Sequence, residues 1–280
     1  MDKQEQQNRL CAAQDLLQSG QAAAAGEAFR ELLGEDILPG VRALTLDGLS
    51  ASLRLQGRMA EAETHLREAL DLLERMFGPA HPYVAGMLLN LALILRERDA
   101  GDEALALSGR AVTILRGQEP PNAPLLAEAL VNLSSHHYDR GDFDAAEASL
   151  KEAMALWEGV AGRRSMGVST CLNNLGRIRE NQGRTAEGVA LHAEAVNIRQ
   201  EVLGEHTETA FSLGNYGVAL AGDGQWEKAC TALVDCVTMY ERLGKGTAPH
   251  VQQYRQNLEI CRRMVAARQA QGGVSPDAPH

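Results

Sequence analysis

Five positions at intervals of 42, 42, 42 and 41 residues constrain this chain most: Gly57, Asp99, Gly141, Gly183 and Gly224. Around Gly183, Asn174 and Leu175 lie nine and eight residues before, and small residues stand five and twelve after, at Gly188 and Ala195. The other four positions have the same surroundings, except that Gly48 stands where an Asn would precede Gly57. A largely apolar stripe runs twelve, eight and four residues before the turns, as in Met87, Leu91 and Leu95. A period of this length means stacked units that bury their apolar faces on one another, not one closed core. The apolar spacing on both sides of each turn is helical, so each unit reads as a helical hairpin.

The residue diet agrees. Hydrophobic residues make up 45% of the chain but aromatics only 4%, and alanine and leucine abound, which suits helices packed closely on helices. Valine and isoleucine are too sparse for a sheet. A formal charge of -10 lacks the basic footprint that nucleic-acid binding requires. The opening MDKQEQQNRL has no apolar core of a secretory signal, and the longest apolar run, Val84 to Leu95, is too short to span a bilayer. The chain therefore reads as soluble and cytoplasmic, with no membrane and no nucleic-acid partner. Cys11, Cys171, Cys230, Cys236 and Cys261 form no CxxC and no His-paired zinc spacing, so reduced thiols are expected, with no disulfide framework, metal or cofactor. Cys230 and Cys236 point to different faces of one helix.

First helices of the hairpins are predicted at about Val41 to Gln56, Pro82 to Asp99, Pro124 to Arg140, Met166 to Gln182 and Glu208 to Asp223. Second helices are predicted at Met59 to Phe77, Gly101 to Arg116, Phe143 to Glu158, Thr185 to Leu203 and Trp226 to Leu243. Glycine and proline in the linkers, as in Gly78, Pro79 and Pro82, explain the breaks between hairpins. Residues 1–40 form an irregular first hairpin turning at Gly20, with a shorter second helix; 41–248 hold the five regular hairpins. Seven residues before each turn the occupant is small (Ser50, Ala92, Ser134, Gly176, Gly217), and a matching notch follows five after it (Ala62, Ala104, Ala146, Gly188, Ala229). In the last helix the notch becomes Glu259 and the next stripe position Arg262, so 249–268 is predicted to be a solvated capping helix. The tail, 269–280, has nothing to bury and is expected to be disordered.

Stretches such as GRMAEAETHLREALDLLERMFGPAHPYVAGMLLNLA, from Gly57 to Ala92, resemble tetratricopeptide repeats, specifically the 42-residue kind of kinesin light chains. The resemblance covers about Gly40 to Met264. It departs at four residues before the turn, where the family's usual Tyr is replaced by Leu53, Leu95, His137, Arg179 and Leu220, and no heptad segment is present. What it implies is an all-α, right-handed α-α superhelix: a solenoid of about six hairpins and a capping helix. Its concave face, lined by first helices, would bind peptide segments of other proteins without catalysis. Relatives that clamp a C-terminal carboxylate carry Lys ten or thirteen residues before the turn, and no lysine stands there in this chain.

Asn90, Asn132, Asn174, Asn215 and Asn257 recur at one place in five successive first helices, where Asn is a mediocre helix former. By the family's geometry this row faces the groove, where an amide can both donate to and accept from a peptide backbone. Its groove neighbours would be Arg54, Arg96, Asn173, Arg177 and Tyr138. The plainer account is that each Asn bonds to the adjacent repeat and holds the stack; the two accounts are compatible. The implied partner is a protein or peptide, with a regulatory peptide sensor or a self-associating scaffold as the alternative. His136 and His137 diverge by about 100° on their helix and lack a ligand partner there, so a structural or exposed role is expected. No Ser-His-Asp, Cys-His or HExxH arrangement is present.

Overall fold

The computed structural model describes residues 1–272, and among these it contains thirteen helices and no strand. They are α1 (Lys3–Gln18), α2 (Ala22–Leu33), α3 (Pro39–Leu55), α4 (Met59–Phe77), α5 (Pro82–Glu97), α6 (Gly101–Arg116), α7 (Ala123–Asp139), α8 (Phe143–Ala161), α9 (Met166–Asn181), α10 (Thr185–Leu203), α11 (Thr207–Gly222), α12 (Trp226–Arg242) and α13 (Pro249–Gly272). The chain divides into two units, Met1–Ala146 and Glu147–His280. Within the first, α1 to α7 each pack on the next helix in order, except that the α1 to α3 contact adds a direct pairing of first helices. Within the second, α9 to α13 do the same, and first helices meet at α9 with α11 and at α11 with α13.

The recurring turns share one backbone state. Gly20, Gly57, Gly141, Gly183 and Gly224 have φ between 74° and 79°, the left-handed region where a Cβ is unfavourable. Asp99 occupies the same state at φ 64°, the one non-glycine residue at positive φ among the described residues. Replacing Asp99 by Gly is therefore expected to raise stability by about 0.5–1 kcal/mol, the relief exceeding glycine's entropic cost. A urea midpoint equal to or below wild type would refute this account of the turn. The linkers between hairpins are capped by their own histidines: His81 Nδ1 accepts from the Tyr83 N–H and His206 Nδ1 from the Glu208 N–H, both at 3.2 Å. These bonds satisfy donors that every helix start leaves orphaned.

The notches meet as their spacing requires. Ser50 Oγ donates to the Ala62 carbonyl at 2.6 Å, which draws α3 and α4 together. On α10 a Cβ added at Gly188 would lie 3.0 Å from the Gly176 carbonyl oxygen of α9. Ala92 and Ala104 are fully buried between α5 and α6. The predicted stripe forms the core beneath: Met87, Leu91 and Leu95 are all buried. Trp157 of α8 lies against the buried Val168, Leu172, Ala195 and Ile198.

Several boundaries differ from expectation. Helix α3 starts at Pro39, because Leu38 is extended and proline fits the first helical position. Helix α8 continues to Ala161, where Gly162 takes φ 79° and ends it. The closing helix, α13, buries Tyr254 and Leu258 and exposes Glu259 and Arg262, as a cap should. It runs on to Gly272 rather than stopping at 268, since Gln269, Ala270 and Gln271 are good helix formers. The rest of the expected tail, 273–280, lies outside the described residues.

Candidate functional site

In the first unit, the predicted site residues stand on neighbouring first helices and are tied together by acids. Asn90 is exposed on α5, and its Nδ2 donates to Asp47 Oδ1 on α3 at 2.8 Å, across 43 residues. Burial pushes the Asp47 carboxyl above its ordinary pKa, and the Asn90 bond pulls the other way. Arg54 Nη1 donates to Glu97 Oε1 at 3.0 Å, and Arg96 Nε lies 2.6 Å from Asp139 Oδ2. Arg54 of α3 and Arg96 of α5 thus each pair with an acid on the following first helix. Asn132 is exposed on α7, and the Tyr138 ring meets the Phe143 edge at 5.6 Å.

Two openings flank this arrangement. A depression of about 120 Å³ is lined by Asp47, Ser50, Arg54, Asn90 and Leu93. A larger apolar hollow of about 630 Å³ lies toward the starts of α3 and α5 and the end of α4, lined by Leu38, Leu44, Met76, Phe77, Tyr83 and Met87, with Lys3 and Gln7 of α1. Its wall contains an exposed aromatic cluster: Phe77 stacks on His81 at 4.7 Å, and both meet Tyr83, which is 61% exposed. Sequence reasoning missed this hollow. The signal was available in Leu44 and Gly86, two positions thirteen before a turn: the first offers a side chain and the second leaves open space.

In the second unit the row is engaged differently. Asn174 is half-buried and Arg177 exposed on α9. Asn215 Oδ1 accepts from the Tyr254 hydroxyl of α13 at 3.3 Å, and Asn257 Oδ1 accepts from Gln253 Nε2 at 3.3 Å. Asn173, expected as a groove neighbour, lies instead in the core. It is 4% exposed, its Nδ2 donates to Ser212 Oγ at 3.3 Å, and its Oδ1 is 2.6 Å from His192 Nδ1. One residue turns a helix by about 100°, enough to move Asn173 from the face that Asn174 shares with the row. Ser212 also accepts from Arg199 Nη1 at 2.9 Å, so a buried polar chain links α9, α10 and α11. The other ring nitrogen of His192 is 2.9 Å from Glu180.

No group of three or more metal-ligating side chains exists among the described residues. His136 is buried, and that burial, more than the nearby Arg96, lowers its pKa. No helix of the described residues is long and apolar enough to cross a membrane.

The profile of the tetratricopeptide repeat family matches residues 41–117, 125–184 and 169–242, well over half of the chain. The chain is a tetratricopeptide-repeat protein. A Clustered mitochondria protein homolog of Emericella nidulans is 22% identical over 187 residues, covering 66% of this chain and 15% of the relative. The chain thus spans about one seventh of that relative's length. Among solved structures, nearly identical TPR-like repeats from Podosopora anserina, assigned to kinesin light chain, superpose with a TM-score of 0.62 at 18% identity, over 75% of this chain and all of theirs. NprR, crystallised with its cognate peptide NprX, superposes with a TM-score of 0.65 at 13% identity, over 98% of this chain and 75% of that one. At these identities the likeness is one of fold. Tetratricopeptide repeats are what the family match and this chain share, and the matched structures include repeats of a kinesin light chain.

Proposed function

We propose that this tetratricopeptide-repeat protein is a non-catalytic scaffold that holds a peptide segment of a partner protein along the first helices of its hairpins. One observation carries the reading: α3 and α5 present the apolar hollow and the polar depression in succession along the same two helices. Leu44 and Gly86 line the one, Arg54 and Asn90 the other. From Gly86 to Asn90 the helix rises about 6 Å, the span of two residues of an extended peptide. An apolar anchor in the hollow would therefore place the peptide backbone beside Asn90. That amide gives one N–H to Asp47 and keeps its carbonyl oxygen and second N–H for a ligand.

On this reading Asn132 extends the row within the first unit, where Arg54 and Arg96 meet acidic side chains of the peptide with Tyr138 beside them, and Asn174, Asn215, Asn257 and Arg177 play the corresponding part within the second. The row serves the stack as well, since Asn90 and Asn215 bond across repeats. The alternative, a regulatory peptide sensor or a self-associating scaffold, has support in the fold shared with NprR and in the exposed aromatic cluster of the hollow. Sedimentation at micromolar concentration separates them, because a strict monomer disfavours self-association.

The test uses peptides selected from a random display library on the full chain. Asn90→Ala is expected to weaken the selected peptides about 5–10-fold and Leu44→Glu at least 10-fold. Both positions are exposed, so helicity should be unchanged. Wild-type affinity in both variants would place the ligand elsewhere and sink the proposal.

A further inference from the structure

Two of the five thiols meet between the last hairpin and the cap. Cys230 is half-buried on α12 and Cys261, 1% exposed, faces it from α13; their side chains are within hydrogen-bonding reach of each other. Beside Cys230 opens a cavity of about 320 Å³ lined by Glu227, Arg262, Val265, Ala266 and Gln269. The remaining cysteines lack this combination. Cys171 and Cys236 are fully buried, which pushes both thiols up to about 12, and Cys11 is exposed alone on α1.

We infer that Cys230 and Cys261 form a modification site, a dithiol that a small disulfide such as oxidised glutathione converts to an intramolecular disulfide clamping α13 onto α12. The Cys230 thiolate, reachable through the cavity, attacks one sulfur of the oxidant and expels the first equivalent of reduced thiol. The cavity gives the mixed disulfide room, and Arg262 offers a cation to the carboxylates of glutathione. Cys261 then gives up its proton and attacks the Cys230 sulfur, expelling the second equivalent. Two thiols lose two electrons and two protons, and one disulfide becomes two thiols, so the exchange balances. Burial raises both thiols above their ordinary pKa, against the pull of Arg262 on Cys230, so the first attack draws on a small thiolate fraction and is slow. Closing the bond requires the sulfurs to approach to about 2.05 Å. Among the described residues no further hairpin stacks beyond α13 to oppose that movement.

The experiment incubates the full chain with oxidised glutathione, blocks free thiols by alkylation and maps the products by mass spectrometry. The expected product is one cross-linked peptide pair holding Cys230 and Cys261 and lighter by two hydrogens than the two free peptides. Its melting temperature should rise by a few degrees through the closed loop. Cys261→Ser should stop at a lasting glutathione adduct on Cys230, and Cys230→Ser should give neither product. A lasting adduct on Cys230 of the wild-type chain, a cross-link through another cysteine, or no reaction at Cys230 and Cys261 while the urea-unfolded chain reacts there would each overturn the inference; an adduct on the exposed Cys11 is the expected control. The wild-type map decides the matter even if a serine variant folds poorly.

Discussion

Arg199→Ala is expected to destabilise the second unit by about 3–5 kcal/mol, measured as a shift of the urea midpoint of the full chain. Arg199 lies on α10 and is 3% exposed, yet it spreads its guanidinium over two neighbouring helices. Nε donates to Ser169 Oγ at 3.1 Å and Nη2 to Thr170 Oγ1 at 3.1 Å on α9; Nη1 donates at 2.9 Å to both the Glu208 carbonyl and Ser212 Oγ on α11. The Glu208 carboxylate stands 3.3 Å away. Burial lowers the arginine's pKa, but a guanidinium remains charged at any pH at which the protein is handled. Alanine removes the guanidinium bonds to Ser169 and Ser212, both wholly buried, leaving Ser169 its bond to the Met166 carbonyl and Ser212 only the longer one from Asn173, and each lost bond to a charged group is worth about 1.5–3 kcal/mol. Arg199→Lys should recover little, because one ammonium cannot reach helices on both sides as a planar fork does. A loss under 1 kcal/mol for alanine would show that water replaces the fork and that the network does not hold the repeats.

Gly214→Ala is expected to cost about 2–3 kcal/mol and to loosen the cap. A Cβ at Gly214 on α11 would sit 2.3 Å from Cζ of Tyr254 on α13, with two more ring carbons within 2.7 Å. The ring has little freedom to retreat. It is 6% exposed, stacks near Tyr240 at 6.5 Å and gives its hydroxyl proton to Asn215. The decisive measurement is a double-mutant cycle with Tyr254→Ala. If the clash is the mechanism, the alanine at 214 becomes nearly harmless once the ring is gone, and the coupling reaches about 1–3 kcal/mol. Additive losses would mean that the ring swings aside and that the glycine serves some other purpose.

How far the sequence reached depends on which distances the repeat constrains. Turns and notches recur at fixed offsets within one hairpin, so Gly183 and the meeting of Ser50 with Ala62 could be read from spacing alone. The Asn row was legible as a recurrence, and bonding to the adjacent repeat was one of its two accounts, but the partners were not, because Asn90 to Asp47 and Asn215 to Tyr254 join different repeats. The absence of an Asn at position 48 has a tertiary cause. The Phe29 ring of α2 fills the space where a Cβ at Gly48 would stand, 2.4 Å away. Asn173 was misplaced since a boundary between groove and core falls between adjacent residues of one helix, finer than helical periodicity resolves. Cys230 and Cys261 belong to different helices with no shared motif, so only the packing of α12 against α13 brings the thiols together.

The paired arginines of the first unit have a thermodynamic corollary. Arg54 and Arg96 already hold Glu97 and Asp139, so an acidic ligand residue arriving there exchanges one ion pair for another. The number of charge pairs is conserved in such an exchange, and added electrolyte weakens both sides of the equilibrium alike. Ionic strength then has little leverage on affinity at these two positions. Discrimination among acidic peptides would rest on how well each displaces the chain's own carboxylates, a competition the protein carries within itself.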